Sequence, residues 1–187
     1  LPTQCVPNAP VNGDTVNCIA PPNMPIDDVE IALVDDITLN IGDSNNATIV
    51  TEFAPNTDGV RLVGDNSLTF NILNSGSSIT GTARGVRMDV DGGTGNGILL
   101  NSVLGTITGG TAGIETETHT TDTNIMTGDV TGITGNGIQA QHFSTASGSI
   151  NLDSSAGIVQ GGYDGISVLQ RSNSATTQIT TANVIAG

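Results

Sequence analysis

The chain has 187 residues, 25 of them Gly, with no Lys or Trp, three Phe and one Tyr. Its formal net charge of −14 sets 18 Asp and Glu against Arg61, Arg84, Arg87 and Arg171. Such a surface repels phosphate backbones and anionic headgroups, which argues against nucleic-acid and peripheral membrane binding. A sandwich or barrel normally anchors its core with aromatics. This composition predicts instead a core of Ile, Val, Leu and Ala in flat stacked strands. Asp outnumbers Glu, which suits turns better than helices, and almost no helix is expected. No apolar run approaches the about 20 residues of a membrane span, so direct membrane insertion of this segment is not expected.

The chain opens at Leu1 rather than Met, which reads as a processed end with a targeting segment removed. Residues 1–28 hold Pro2, Pro7, Pro10, Pro21, Pro22 and Pro25, which argue against a regular strand ladder because Pro lacks the N–H. A stacked-coil fold needs its first coil covered, and this segment reads as that N-terminal cap. Cys5 and Cys18 are 13 apart. In an exported protein this spacing reads as a small disulfide loop pinning the cap. A reduced pair or half a metal site are the alternatives, but no other Cys exists and both His lie far along the chain.

From Val29 the text alternates. Val29, Ile31 and Leu33, then Ile37, Leu39 and Ile41, give two period-2 strands, and Ile49 begins a third. A tetrad Gly-(Ile/Val)-x-(aliphatic, Ala or Thr) then recurs at Gly59, Gly85, Gly113, Gly137 and Gly165, with spacings of 26, 28, 24 and 28. Self-similarity at such a period marks a solenoid. Cutting at these glycines leaves three apolar clusters per coil. The first is the tetrad. The second includes Leu68-Thr69-Phe70, Ile98-Leu99-Leu100, Ile125-Met126-Thr127, Ile150-Asn151-Leu152 and Ile179-Thr180-Thr181. The third includes Ile79-Thr80-Gly81, Ile107-Thr108-Gly109, Ile133-Thr134-Gly135 and Ile158-Val159-Gln160. Residues 29–187 are therefore predicted to form an all-β parallel β-helix of about six three-stranded coils. The repeated Gly is expected to supply the φ > 0 of a sharp corner. Gly187 falls mid-coil, which predicts that the helix continues in a longer chain.

This pattern over residues 29–187 resembles the passenger domains of bacterial autotransporters. Cys5-Val6-Pro7 followed by Asn12-Gly13-Asp14-Thr15-Val16-Asn17-Cys18 is similar to the opening of mature passengers in one group of them. The resemblance implies a right-handed helix, export through the periplasm to the cell surface of a Gram-negative bacterium, and a C-terminal membrane barrel elsewhere in the full chain. It implies a virulence-type stalk and adhesin, with a host surface, a glycan or a second copy as partner. The loops 143–149 and 170–177 are the expected contact points.

Three further chemistries follow from residues. A polysaccharide lyase or glycoside hydrolase on a β-helix needs converging carboxylates and a basic residue. Asn56-Thr57-Asp58 resembles one segment of such hydrolases, but Asp27-Asp28 and Asp35-Asp36 precede it, in the wrong order. His119 and His142 lie in no Gly-His-Gly and read as surface loop residues. No enzyme and no catalytic residue is expected. Asp89, Asp91 and Asn96 border a Gly-rich turn that could offer oxygen ligands to Ca²⁺, although the nonapeptide of a calcium roll occurs only once. A solvated corner without a cofactor is the simpler reading. Thr80, Thr108 and Thr134 are expected in one outward ladder of stacked hydroxyls. An ice-binding face would require a second rank beside it. Arg61, Arg87, Glu115, Gln139 and Ser167 should form the outward column of the first strands. There Arg87 would face Glu115, and Asp65 or Asp89 would relieve the Arg61–Arg87 repulsion.

Overall fold

Strands with one aliphatic and one polar face must bury the aliphatic side against another element. Here they do so coil on coil. The structure is a computed structural model and describes residues 1–21, 24–52, 54–93, 95–119, 121–143, 147–171 and 175–187. The described residues contain sixteen strands and no helix, wound as a parallel β-solenoid of about six turns.

The tetrads form the first ladder: Val29–Ala32, Val60–Gly64, Arg84–Val90, Ala112–Thr118, Asn136–His142 and Ile166–Gln170, all parallel. Val29, Val60, Val86, Ile114, Ile138 and Ile166 stack in register as one column. The second ladder runs through Thr15–Cys18, Ile37–Ile41 and Ser67–Ile72 into the longer strands Gly97–Gly109, Thr123–Gly132, Ile150–Gly161 and Thr177–Ala186. These longer strands also carry the third cluster, which is separate in the early coils as Ile49–Thr51 and Ser78–Gly81. Register shifts at Ser102/Thr106, Met126/Val130 and Ser154/Ile158 mark the bend where second and third strands fuse. The three strands per coil are thus present, but their second corner is a bulge rather than a loop.

The stack begins before Val29. Thr15–Cys18 lies between the prolines and pairs in parallel with Thr38–Ile41, so the proline density of residues 1–28 does not keep this stretch out of the ladder. Cys5–Val6 then pairs antiparallel to it, Cys5 against Cys18, and the two are joined as a disulfide. Both cysteines are fully buried over the first core layer.

Two details of the sequence reading are corrected. The third ladder sets Thr51, Thr80, Thr108 and Thr131 side by side, not Thr134. Val130 and Val159 fill the inward column after Ile107, while Ile133 is 61% exposed. Val130-Thr131-Gly132 and Ile133-Thr134-Gly135 are tandem near-copies, and register alone chooses between them. Thr134 instead stands in the turn, where its hydroxyl donates to the Gly110 carbonyl, as Thr111 does to Ala83.

The second correction concerns the repeated glycines. None of Gly59, Gly85, Gly113, Gly137 and Gly165 is among the positive-φ residues. Their lack of a side chain is needed for space. A Cβ would lie 2.8, 2.4, 2.4, 2.7 and 2.2 Å from a methyl of Ile79, Ile107, Val130, Val159 and Val184 respectively. In the first four it would also lie 2.5–2.9 Å from the carbonyl oxygen of the next repeated Gly. The repeat marks where the third strand's inward aliphatic packs onto the bare backbone opening the first.

The core is apolar along its length and from Ser102 onward takes in more fully buried polar side chains. Phe70, Leu39, Leu62 and Met88 are fully buried, but so are Thr116, Thr118, Thr123, Thr127, Ser154 and His142. Ser102 and Thr127 share a 2.7 Å hydroxyl contact inside the stack, and Thr118 and Thr123 one of 3.3 Å. His142, read from sequence as a surface loop residue, closes a first-ladder strand inside the core beside Thr118.

Candidate functional site

The outer face of the first ladder collects the cations. Each strand offers its residues alternately inward and outward, so Glu30, Arg61, Arg87, Glu115, Gln139 and Ser167 fall in one outward column. Arg61 pairs with Glu30 of the preceding coil, and Asp89, held by Arg87 and within the field of Arg61, relieves the repulsion between the two arginines. Arg87 Nε sits 2.9 Å from Asp89 Oδ2, two residues on along the same outward face, and 3.7 Å from Glu115 Oε1. The expected Arg87–Glu115 pair is therefore present but secondary. Glu115 is held more closely by Arg84, whose Nε lies 2.8 Å from Oε1. Arg84 also reaches back to Asp58 at 3.3 Å, because both residues directly precede a repeated Gly and so stack at the same corner. Sequence reasoning missed Arg84 by treating that position only as a corner.

These contacts fix the charge states. Burial by itself would lower the Arg84 and Arg87 pKa values, but the carboxylates of Glu115 and Asp58, and of Asp89, outweigh it and hold both above the usual guanidinium range. Burial dominates at Asp89 and Glu117 and pushes both carboxyls up, only partly offset by Arg87.

Beside this network lies a groove of about 300 Å³ lined by Asp28, Glu30, Asn56, Thr57, Asp58, Arg61, Arg84 and Arg87. Three of the four cationic side chains of the chain thus share one depression with three carboxylates. Asn56 adopts φ 62°, a left-handed turn conformation that Asn tolerates. Asp28 stands between this groove and the carboxylates of Asp27 and Glu52, whose ligand atoms lie within 4.8 Å of one another and of its own. Burial, then Glu52, Asp27 and Glu30, raise the Asp28 pKa above the ordinary carboxylate range. The Asp27-Asp28 and Asn56-Thr57-Asp58 segments, out of order in sequence, therefore meet in space.

The other singled-out residues are placed differently. Asp89 faces Arg87, whereas Asp91 is exposed and 3.7 Å from His119 Nδ1. The backbone N–H of Asn96 donates to Ser67 Oγ. Among the described residues, the group of three or more His, Cys, Asp and Glu side chains close enough to share a metal ion is Asp27, Asp28 and Glu52. Within the loops 143–149 and 170–177, residues 144–146 and 172–174 lie outside the described residues.

The second ladder carries a feature that the sequence reading passed over. Thr15, Thr38 and Thr69 form one outward rank, and Asn17, Asn40, Asn71 and Asn101 a second beside it. Asn40 Nδ2 donates to Asn17 Oδ1 and Asn71 Nδ2 to Asn40 Oδ1, each at 2.9 Å. The cue was the recurring Thr-x-Asn at 15–17, 38–40 and 69–71. The second ladder thus has a rank beside its Thr, but that rank is Asn and the Thr rank gives way to Leu99, so two ranks of Thr are not formed.

The stacked ladders and their charged outer groove place the molecule in the class of parallel β-solenoids. Compared with known proteins, the chain matches no family model, no curated protein and no solved structure.

Proposed function

We propose that the chain is the N-terminal part of an autotransporter-type passenger, exported through the periplasm and displayed at the surface of a Gram-negative bacterium as a rigid stalk and adhesin. The observation that carries this reading is the uninterrupted first-ladder column from Val29 to Ile166. Each coil buries its aliphatics on the coil before it, so a chain emerging from one end can fold by adding coils outside the cell. The acidic exterior and the Cys5–Cys18 closure over the first layer suit an oxidising, extracellular setting. In this reading a C-terminal membrane barrel lies elsewhere in the full chain.

The test is display. The chain is fused behind a signal peptide and ahead of a translocating barrel, and intact cells are assayed for antibody access, protease resistance, and binding to host cells, immobilised glycans and each other. Surface access with resistance and binding is expected. Access without any binding removes the adhesin role and leaves the stalk; no access removes both.

A second reading, a polysaccharide-active enzyme, is favoured by one observation: the groove joins Asp28 to Asp58. Asp28, whose carboxyl is raised by burial, and Asp58 line the same groove, the paired-carboxylate arrangement that glycosidic acid–base chemistry requires. A reducing-end assay across neutral and acidic polysaccharides tests it, and no activity on any of them removes it.

A further inference from the structure

We infer that the groove between Asp28 and Arg87 is a binding site for a neutral saccharide chain. It deepens the adhesin reading and takes from it only the expectation of an extracellular glycan partner. The argument starts from distribution. The chain carries four cationic side chains in 187 residues, and Arg61, Arg84 and Arg87 line this one groove. For Arg61 fold stability alone does not account for the position, since a pair as exposed as Arg61 and Glu30 contributes about 0–1 kcal/mol.

Their state is also that of a prepared surface. Each guanidinium has five N–H donors, more than the one or two nitrogens its carboxylate contacts occupy. The side chains of Arg61, Arg84 and Arg87 remain 36%, 27% and 24% exposed. A vicinal diol matches such an alternation, because one hydroxyl donates to a carboxylate while its neighbour accepts from the adjoining guanidinium. Asn56 adds a carboxamide, which both donates and accepts.

Charge selects the ligand class. Three carboxylates balance three guanidiniums along the walls, inside a chain of net charge −14. An anionic ligand meets that field unfavourably, and no excess of positive charge compensates it. The groove volume, about 300 Å³, is at the lower end of the about 300–1,000 Å³ typical of ligand sites. It therefore suits a short stretch of a chain whose remainder runs on over the coil faces.

The test uses the purified chain, with cellotetraose, tetra-N-acetylchitotetraose and mannotetraose as neutral probes and tetragalacturonate as the anionic one. The readout is the Nε–H signals of the four arginines. We expect at least one neutral probe to shift Arg61, Arg84 and Arg87 but not Arg171. Asn56→Gly keeps the left-handed backbone and Arg61→Ala removes an exposed pair, so both should melt like the parent. Each should weaken binding about tenfold, or about 1.4 kcal/mol. No shift with any neutral probe at millimolar concentration overturns the inference. So does tighter binding of tetragalacturonate, or binding that survives both substitutions. Adhesion by displayed cells without saccharide binding here would move the adhesive site elsewhere; saccharide binding without adhesion would leave the groove and remove the adhesin role.

Discussion

Arg84 Nε lies 2.8 Å from Glu115 Oε1, across the boundary between two consecutive coils. Since Arg84 also reaches Asp58 and Glu115 also meets Arg87, this contact ties three coils through their outer face. Glu115 is only 8% exposed, and leaving the partly buried guanidiniums beside it without their carboxylate costs about 1–3 kcal/mol. Glu115→Gln keeps shape but removes the charge from beside two arginines. We expect a loss within that range in urea unfolding, against a change near zero for Ser167→Ala two coils on.

The pH dependence follows from burial. Asp89 and Glu117 have carboxyl pKa values raised in the folded state, so the folded chain holds their protons more tightly than the unfolded chain. Stability from these groups is complete below the ordinary carboxyl pKa and is lost as pH rises through the raised folded values. Asp43 and Asp153 act oppositely. Their pKa values are lowered, by the Asn46 side chain and the Ser155 hydroxyl foremost, and their contribution disappears as pH falls through those folded values. Relief of the −14 self-repulsion adds to the first effect. The melting temperature should rise on going from neutral to mildly acidic pH and fall in strong acid. In Asp89→Asn the first rise should be smaller.

Gly113→Ala tests the space argument. The new methyl would sit 2.4 Å from Val130 Cγ1 and 2.7 Å from the Gly137 carbonyl. Overpacking of this kind costs about 1–3 kcal/mol. Gly109→Ala should cost more, because its Cβ would lie 1.7 Å from the backbone oxygen of Ala112, which cannot rotate away. Thermal melts of the two variants settle the order, and Val130→Ala should partly rescue Gly113→Ala but not Gly109→Ala.

Removing the Cys5–Cys18 disulfide should lower stability by about 3 kcal/mol, the loop-closure value for a separation near 13 residues. Denaturant unfolding of the reduced parent and of Cys5→Ser with Cys18→Ser, each compared with the oxidised parent, measures it. Proteolysis is expected to begin in residues 1–28 in both.

Millimolar Ca²⁺ should leave the melting temperature unchanged, since Asp89 is engaged by Arg87 and Asp91 lies beside His119. An upward shift abolished by Asp89→Asn would place a calcium site at Asp89, Asp91 and Asn96 after all. An upward shift abolished by Asp28→Asn instead would place one at Asp27, Asp28 and Glu52. Thermal hysteresis on the same samples tests the ice-binding alternative, with Thr38→Val and Asn40→Ala as the face variants.

The sequence by itself determined the coil. Its glycine spacing, its period-2 aliphatics and its shortage of aromatics leave few ways to bury Val60, Val86, Ile114, Ile138 and Ile166 other than over one another. It also indicated the closed Cys5–Cys18 loop. Tertiary structure decided what depends on register between coils. Whether Thr131 or Thr134 joins Thr108 is invisible in two near-identical tripeptides, because only the length of the following turn shifts one past the other. The meeting of Asp28, Asp58 and Arg84 was likewise hidden, as residues 26 to 30 apart become neighbours only when the coil closes. The purpose of the repeated Gly belongs here too. Its recurrence is plain in sequence, but only the distance to the facing methyl shows that the position answers to crowding rather than to a left-handed turn.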